Sequence, residues 1–291
     1  MCPGNRGKPT DQWSTTLKTY ASPVIGSLPV KGVTAVLVLR ILQPIWASKT
    51  ETASRLRGRI EKVLDWAKVH GYRSGDNPAA WRGQLSQVLP RPSKVSKAGH
   101  HAALPWQHMA TFTAELRKMK GNASLAAQFI VLTATRTSEV LGATWDEIDV
   151  QERQWVIPAA RMKAGKEHRV PLSAAALDVL NKARTETGSE SSVVFSGRSG
   201  KSLSNMSCLA LLRRMGHREL TIHGFRSSFR DWAAEQTNYP REVCEMALAH
   251  SIADATEAAY RRGDLFQKRA RLMNEWAEFC EKDFSPKPIP L

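Results

Sequence analysis

The sequence is poor in cysteine, and its four cysteines, Cys2, Cys208, Cys244 and Cys280, lie far apart along 291 residues. No C-x-x-C pair is present, so the sequence indicates neither a zinc site nor a disulfide framework. Free thiols in a reducing cytoplasm are expected instead. No apolar run approaches the roughly 20 residues of a membrane helix. The opening stretch MCPGNRGKPTDQW lacks the apolar core of a signal peptide, so we expect a protein that is neither exported nor bound to a membrane.

Acidic residues are scarce relative to basic ones. There are 42 lysines and arginines against 27 aspartates and glutamates, which gives a formal net charge of +15. This excess favours a polyanionic partner such as nucleic acid, although an unspecialised basic surface would give the same count. The apolar fraction of 42 % and the nine tryptophans are enough for well-packed cores. The length suggests one large domain or two ordinary ones.

Two stretches lack any periodicity. Residues 1–11 are predicted to be a disordered start, and residues 89–104, rich in Pro, Lys, Ser and His, are predicted to be a linker. They delimit a small domain at residues 12–88 and a larger domain at residues 105–283, which is followed by a tail at residues 284–291.

The apolar spacing predicts a mainly α fold with a small antiparallel β-sheet. The small domain is predicted to hold four helices. The third carries Leu56, Ile60, Val63, Leu64 and Ala67 on one face. The fourth covers residues 77–89, with the asparagine of its NPAAW start as cap and the proline in its first turn. In the larger domain, helices surround two strands, EIDVQERQWVIP and HRVPLS, which are joined by the polar turn RMKAGKE.

Several polar residues in this pattern suit the cutting of a phosphodiester bond. Without a metal, that reaction needs a nucleophile, positive charge on the non-bridging oxygens and a proton donor for the leaving oxygen. Arginine binds two phosphate oxygens at once, and lysine or histidine can give up a proton. A tyrosine can act as the nucleophile and hold the cut end covalently.

Five motifs occur in order: ATRTSEVLGATW, MKAGKEHRVPLS, HGFRSSFRDWAAE, LAH and AAYRR. Together they resemble the signature of tyrosine recombinases, most closely that of bacteriophage- and island-type integrases of the P4 kind, from about Gln12 to about Cys280. The resemblance implies a helical core-binding domain of the SAM-like type followed by a tyrosine recombinase catalytic domain. It also implies a homo-tetramer acting on double-stranded DNA at core-type attachment sites, with no metal and no cofactor. The expected location is the bacterial cytoplasm, in association with the nucleoid.

Four residues match the family's phosphate-binding positions. By resemblance, Arg136 and Arg226 clamp the scissile phosphate, His223 supports acid–base chemistry and His250 hydrogen-bonds the phosphate. Since helical geometry puts residues three apart on one face, His223 and Arg226 can reach a single phosphate. Glu139, three residues after Arg136, either orients that arginine or belongs to a solvated helix face.

The nucleophile and the proton donor each have a rival in the sequence. Tyr260 matches the family's nucleophile, and Tyr239, which a proline follows, is its one rival. Lys163 matches the lysine of the family's β-hairpin and would protonate the leaving 5′ oxygen. Lys166 lies three residues further in the same turn, and the position relative to HRVPL favours Lys163.

Basic residues outside these motifs are candidates for contacts with DNA in the small domain and the linker: Lys49, Arg55, Arg57, Arg59, Lys94 and Lys97. Integrases of this kind usually begin with a further domain that binds arm-type sites. The sequence leaves no room for it ahead of Gln12, so directional integration is in question although the cleavage residues are present. Two alternatives stay open, a non-catalytic DNA-binding remnant and a topoisomerase-like enzyme with the same tyrosine chemistry.

Overall fold

The computed structural model of the chain describes residues 8–95, 103–187, 191–197, 199–250 and 263–282. The chain divides into two compact units, Met1–Gly99 and His100–Leu291. Both units are mainly helical, and the second holds a three-stranded antiparallel sheet, so the predicted fold class is confirmed. None of the helices within the described ranges is long and apolar enough to cross a membrane.

The first unit is built from helices that pack through apolar stripes. They are α1 (Lys8–Thr16), α2 (Ser22–Ile25), α3 (Ala35–Trp46), α4 (Thr50–Val69) and α5 (Pro92–Val95), with a π-helical segment over Leu17–Ala21. On α4, the predicted stripe of Leu56, Ile60, Leu64 and Ala67 is buried. Val63, which the sequence places on the same face, is 44 % exposed because it lies at the margin of the stripe.

The prediction of a fourth helix in this unit, over residues 77–89, is wrong. Only a short 3₁₀ turn at Leu85–Gln87 is helical there. Asn77 does not cap a helix, because its side-chain oxygen accepts the backbone N–H of Ala79, two residues on, at 2.9 Å. That contact forms a local turn. Gly83 then adopts a φ of +75°, a left-handed conformation that interrupts a right-handed helix.

The second unit is built around α7 (Asn122–Thr133), a helix that is buried along most of its length. Its helices are α6 (Met109–Lys118), α7 (Asn122–Thr133), α8 (Thr137–Leu141), α9 (Ala174–Thr187), α10 (Asn205–Arg214), α11 (Gly224–Gln236), α12 (Arg241–Ala247) and α13 (Phe266–Glu281). Every residue of α7 from Ser124 to Thr133 is buried, as expected for a helix whose sequence is apolar on almost all sides. Trp276 of α13 is buried against α7 and donates its indole N–H to the carbonyl of Val131 at 2.8 Å.

The sheet lies between α8 and α9 in the chain. Its strands are β1 (Ile148–Asp149), β2 (Gln154–Ile157) and β3 (His168–Pro171), in the order β1-β2-β3. The sequence predicted one strand where β1 and β2 now pair. The chain turns between them because Arg153 adopts a φ of +49° and the Asp149 carboxylate accepts the backbone N–H of Glu152 at 2.9 Å. The β2–β3 connection carries the two candidate lysines to the surface.

Candidate active site

Arg226 lies in the first turn of α11 and is almost completely buried, at 4 % exposure. Its guanidinium donates to two backbone carbonyls, that of Ala134 at the end of α7 and that of Leu248 just after α12, the latter at 2.6 Å. Ala134 adopts a left-handed φ of +50°, which ends α7 and turns the chain towards α8. One side chain therefore holds three helix ends together, and its buried Nε has no hydrogen-bond partner among the described residues.

Arg136 stands at the start of α8, directly after that turn. The carboxylate of Glu139 accepts both the backbone N–H of Arg136, at 2.8 Å, and its guanidinium, at 2.7 Å. The Glu139 side chain is only 3 % exposed, so it orients Arg136 and does not belong to a solvated face. The guanidinium also donates to the carbonyl of Ala249 at 3.2 Å. Arg136 and Arg226 are thus anchored on adjacent carbonyls of the same segment, those of Ala249 and Leu248.

The two arginines give this site an excess of positive charge. Burial and the nearby charge of Arg136 lower the pKa of Arg226 to about 10, whereas Glu139 raises it. Arg226 therefore stays protonated at neutral pH. One carboxylate beside two guanidinium groups leaves a net positive potential, which favours an anionic ligand.

His250 follows the left-handed residue Ala249, whose φ is +49°. Its Nε2 lies 3.3 Å from Nη2 of Arg226, and its Nδ1 lies 2.6 Å from the Glu245 carboxylate. The side chain is 45 % exposed, so the ring borders solvent on one side and the arginines on the other. The structure thus brings Arg136, Arg226 and His250 together from segments that lie far apart in the sequence.

His223 immediately precedes α11 and is exposed. Its backbone carbonyl accepts the N–H of Arg226 at 3.2 Å, which begins the first turn of the helix. The predicted spacing of one helical turn between these two residues is therefore present, with the histidine at the surface and the arginine inside.

Lys163 and Lys166 are both exposed in the connection between β2 and β3, which turns at Gly165 with a φ of +64°. The base of this connection is fixed by Arg161, which pairs with Glu147 at 2.5 Å and donates to the carbonyl of Glu139. Glu147 is the first residue of the segment EIDVQERQWVIP that the sequence predicted as a strand, and it lies in a 3₁₀ turn over Trp145–Glu147. Within the described residues, no group of three or more His, Cys, Asp or Glu side chains is placed to hold a metal ion.

Tyr260, the predicted nucleophile, lies outside the described residues. Its rival Tyr239 lies just before α12 and donates its hydroxyl to the Glu275 carboxylate at 2.6 Å. Burial, the hydrogen bond to Glu275 and the charge of that carboxylate raise the pKa of Tyr239 to about 12. The raised pKa disfavours the phenolate form of Tyr239, which is the more nucleophilic form.

Comparison with known proteins gives two matches that together cover most of the chain. A model described as the phage integrase central domain matches residues 3–84, and one described as the phage integrase family matches residues 107–265, more than half of the chain. The chain belongs to the phage integrase family. The predicted resemblance to tyrosine recombinases is thereby confirmed.

Individual members of the family are similar over nearly the whole chain. Prophage integrase IntA of Escherichia coli (strain K12) is 30 % identical over 275 residues, which are 93 % of this chain and 64 % of IntA. The integrase of Enterobacteria phage P4 is 29 % identical over 286 residues, 91 % of this chain and 63 % of that protein. The chain therefore spans just under two thirds of the length of these two relatives.

A solved structure shows the same fold. The crystal structure of a lambda integrase tetramer bound to a Holliday junction superposes with a TM-score of 0.66 at 14 % identity, covering 87 % of this chain and 74 % of that one. At this identity the likeness concerns the fold alone.

Among the basic residues predicted to contact DNA, Lys49 and Arg55 are exposed on the first unit of this chain. Lys49 donates to the hydroxyl of Tyr20 at 3.1 Å, and Arg55 pairs with Glu51 one turn earlier on α4 at 2.7 Å. Exposed contacts of this kind contribute little stability. On α5, the predicted linker residue Lys94 is exposed, and Lys97 lies outside the described residues.

Arg57 and Arg59 make contacts within the protein. Arg57, 16 % exposed, donates to Glu61 at 2.7 Å and to the carbonyl of Ala79 at 2.9 Å. Arg59 donates to the carbonyl of Gln12 on α1 at 2.9 Å. Arg57 thus joins α4 to the loop that follows it, and Arg59 joins α4 to α1.

His168, the first residue of β3, is a polar residue near the site that the sequence reasoning missed. Burial, together with the positive charges of Arg269, Arg136 and Arg226, lowers its pKa to about 4, although the charge of Asp264 acts in the opposite direction. Its buried Nε2 has no hydrogen-bond partner among the described residues. Strand alternation contained the signal, because His168 shares a face of β3 with the buried Val170.

Proposed function

We propose that the chain is a site-specific DNA recombinase that cuts and rejoins DNA through a 3′-phosphotyrosyl intermediate. The observation that carries the proposal is the convergence of Arg136, Arg226 and His250 on one positively charged site in a member of the phage integrase family. A phosphate group fits this site because two guanidinium groups offer it several N–H donors.

In the proposed reaction, the Tyr260 oxygen attacks the phosphorus and the bond from phosphorus to the 5′ oxygen breaks. Arg136 and Arg226 stabilise the negative charge that develops on the non-bridging oxygens. His250 hydrogen-bonds the same phosphate, and His223 assists the proton transfers at Tyr260. Lys163 gives its proton to the departing 5′ oxygen. A 5′ hydroxyl from a partner strand then reverses the step, so the bond energy is conserved without metal or nucleotide.

The proposed substrate is double-stranded DNA at core-type attachment sites, bound by a homo-tetramer. The lambda integrase structure with this fold is a tetramer on a Holliday junction, which supports the assembly. The domains at residues 12–88 and 105–283, joined by the linker at 89–104, would both contact the duplex. A DNA substrate would place the protein in the cytoplasm, on the nucleoid.

The first unit would supply contacts to the DNA backbone through the exposed Lys49 and Arg55. Lys94 and Lys97 would extend these contacts along the linker. Because each phosphate contact releases counterions, binding should weaken steeply as the salt concentration rises.

Covalent capture tests the proposal. The full chain is incubated with nicked duplexes tiled across the DNA that flanks its gene, and the products are separated on a denaturing gel. A protein–DNA adduct is expected for the parent and for Tyr239→Phe, but not for Tyr260→Phe, which keeps the ring and loses only the attacking oxygen. Adduct that persists in Tyr260→Phe would remove that residue from its role.

The other outcomes of this experiment identify the alternatives. DNA binding by the parent without adduct on any duplex would indicate a non-catalytic DNA-binding protein. Relaxation of supercoiled plasmid without sequence preference would indicate a topoisomerase-like enzyme.

A further inference from the structure

A closed ring of side-chain contacts begins and ends on α11. Arg226 and Arg230 lie one turn apart on this helix. Arg226 contacts Nε2 of His250 at 3.3 Å, and the other ring nitrogen, Nδ1, lies 2.6 Å from the Glu245 carboxylate. The second oxygen of Glu245 accepts from Nε of Arg230 at 2.9 Å, which returns to α11. The imidazole is therefore held on both of its nitrogens, on one by Arg226 of α11 and on the other by Glu245 of α12, which Arg230 of α11 contacts in turn.

The chemistry of these contacts determines which nitrogen carries the proton. An ionised carboxylate only accepts hydrogen bonds, so Nδ1 of His250 must donate its N–H to Glu245. Nε2 of the neutral ring then presents a lone pair, which accepts an N–H from Arg226. Burial raises the pKa of Glu245, but the hydrogen bonds and charges of His250 and Arg230 outweigh it and lower the pKa, so this carboxyl is ionised at neutral pH.

The backbone reinforces the same arrangement. The N–H of His250 donates to the carbonyl of Glu245 at 3.0 Å, and Ala249 between them adopts its left-handed φ of +49°. Glu245 thus fixes His250 through both its main chain and its side chain. Arg241, one turn before Glu245 on α12, lies 3.8 Å from the carboxylate and is itself 84 % exposed, so Arg230 is the closer anchor.

We propose that Glu245, anchored by Arg230, is a positioning residue that sets the tautomer and the orientation of His250, so that Nε2 always faces the phosphate site. The inference rests on the proposed function. A hydrogen bond from Nε2 to a phosphate oxygen requires a proton on Nε2 as well as on Nδ1, and the Glu245 carboxylate would compensate the positive charge of such a ring. A ring that flipped, or that carried its proton on the other nitrogen, would lose this geometry.

Glu245→Gln tests the idea because an amide has nearly the same shape but both donates and accepts. Its NH₂ group can donate to an unprotonated Nδ1, so the preference for one tautomer disappears. The matched control is Asp231→Asn, an acid-to-amide change at an exposed position next to Arg230 on α11. Both variants lose one negative charge, but only the first alters the ring of contacts.

The first readout is the tautomer of His250 in the free full-length chain. Long-range ¹⁵N correlation spectra of histidine-labelled protein separate the two tautomers, and His250→Gln identifies the signal. The parent and Asp231→Asn should show the Nδ1–H form, and Glu245→Gln should show a mixture. A purely structural role for Glu245 would leave the tautomer unchanged. This measurement needs no DNA, so it stands even if the proposed function fails.

The second readout is the rate of adduct formation on a duplex that the parent cleaves. We expect Glu245→Gln to slow it about ten- to hundredfold, the effect of losing a hydrogen bond to a charged group, with DNA binding unchanged. Arg230→Gln leaves Glu245 present but without its anchor, and should change both readouts in the same direction by less. If both variants kept the parent's tautomer and rate, the inference would be overturned while the recombinase function stood.

Discussion

Replacement of His168 by glutamine should make the second unit less sensitive to acid. In the folded protein this ring is partly buried at the start of β3, and Arg269, Arg136 and Arg226 add positive charge around it, so its pKa falls to about 4. The ordinary value for histidine is about 6.5, which we take for the unfolded chain. At a pH between these two pKa values, His168 is protonated in the unfolded chain but not in the folded chain.

The sign and the size of the effect follow from linkage. Since the unfolded state binds more protons, the free energy of unfolding rises with pH through this window and falls as the solution is acidified. At about 1.4 kcal/mol per pKa unit, the full difference is worth about 3 kcal/mol, of which about 2 kcal/mol is lost between pH 7 and pH 5. Glutamine does not titrate, so His168→Gln should not show this loss.

Urea unfolding of the full chain at pH 7 and pH 5 measures the effect. The parent should lose about 2 kcal/mol more than His168→Gln on going to the lower pH, in the transition of the second unit. His108→Gln is the control, because His108 is exposed at the start of α6. His108→Gln should lose as much free energy of unfolding between pH 7 and pH 5 as the parent does. If His168→Gln lost as much stability as the parent, the ring would be protonated in the folded state and the reasoning would be refuted.

Three further predictions concern the proposed reaction. Arg136→Lys keeps a positive charge but loses the planar fork, so cleavage should fall severely with only modest loss of DNA binding; cleavage within a few-fold of the parent would exclude direct phosphate contact. Lys163→Ala should be impaired on normal DNA and rescued on a 5′-phosphorothiolate duplex, because a thiolate leaves without protonation. Lys166→Ala should cleave normal DNA like the parent and should need no rescue. If Lys166→Ala were impaired and rescued while Lys163→Ala was not, Lys166 would be the proton donor. EDTA should leave adduct formation intact, and loss in EDTA that Mg²⁺ restores would contradict the tyrosine mechanism.

The sequence was sufficient to predict the fold class and the family. Helical periodicity, turn residues and five ordered motifs are local features, and such features can be recognised from the order of the residues alone. The stripe on α4 and the strands on either side of the MKAGKE turn were readable for this reason. The prediction from local pattern failed at Asn77. The pattern suggested a helix cap, but the Asn77 side chain accepts the backbone N–H of Ala79 and forms a turn. The roles of the site residues and of the DNA-binding residues stay predictions, and Tyr260 and Lys97 lie outside the described residues.

The tertiary structure decided the state of each residue in the site. The sequence does not indicate that Arg226 is buried, or that its guanidinium donates hydrogen bonds to the carbonyls of Ala134 and Leu248, 92 and 22 residues away. Nor does it show that Arg57 is engaged inside its own unit, or that His168 is neutral. Burial and electrostatic potential are sums over atoms that only folding brings close together. The sequence could therefore name the chemical groups, whereas their charge, orientation and partners depended on the packing of distant segments.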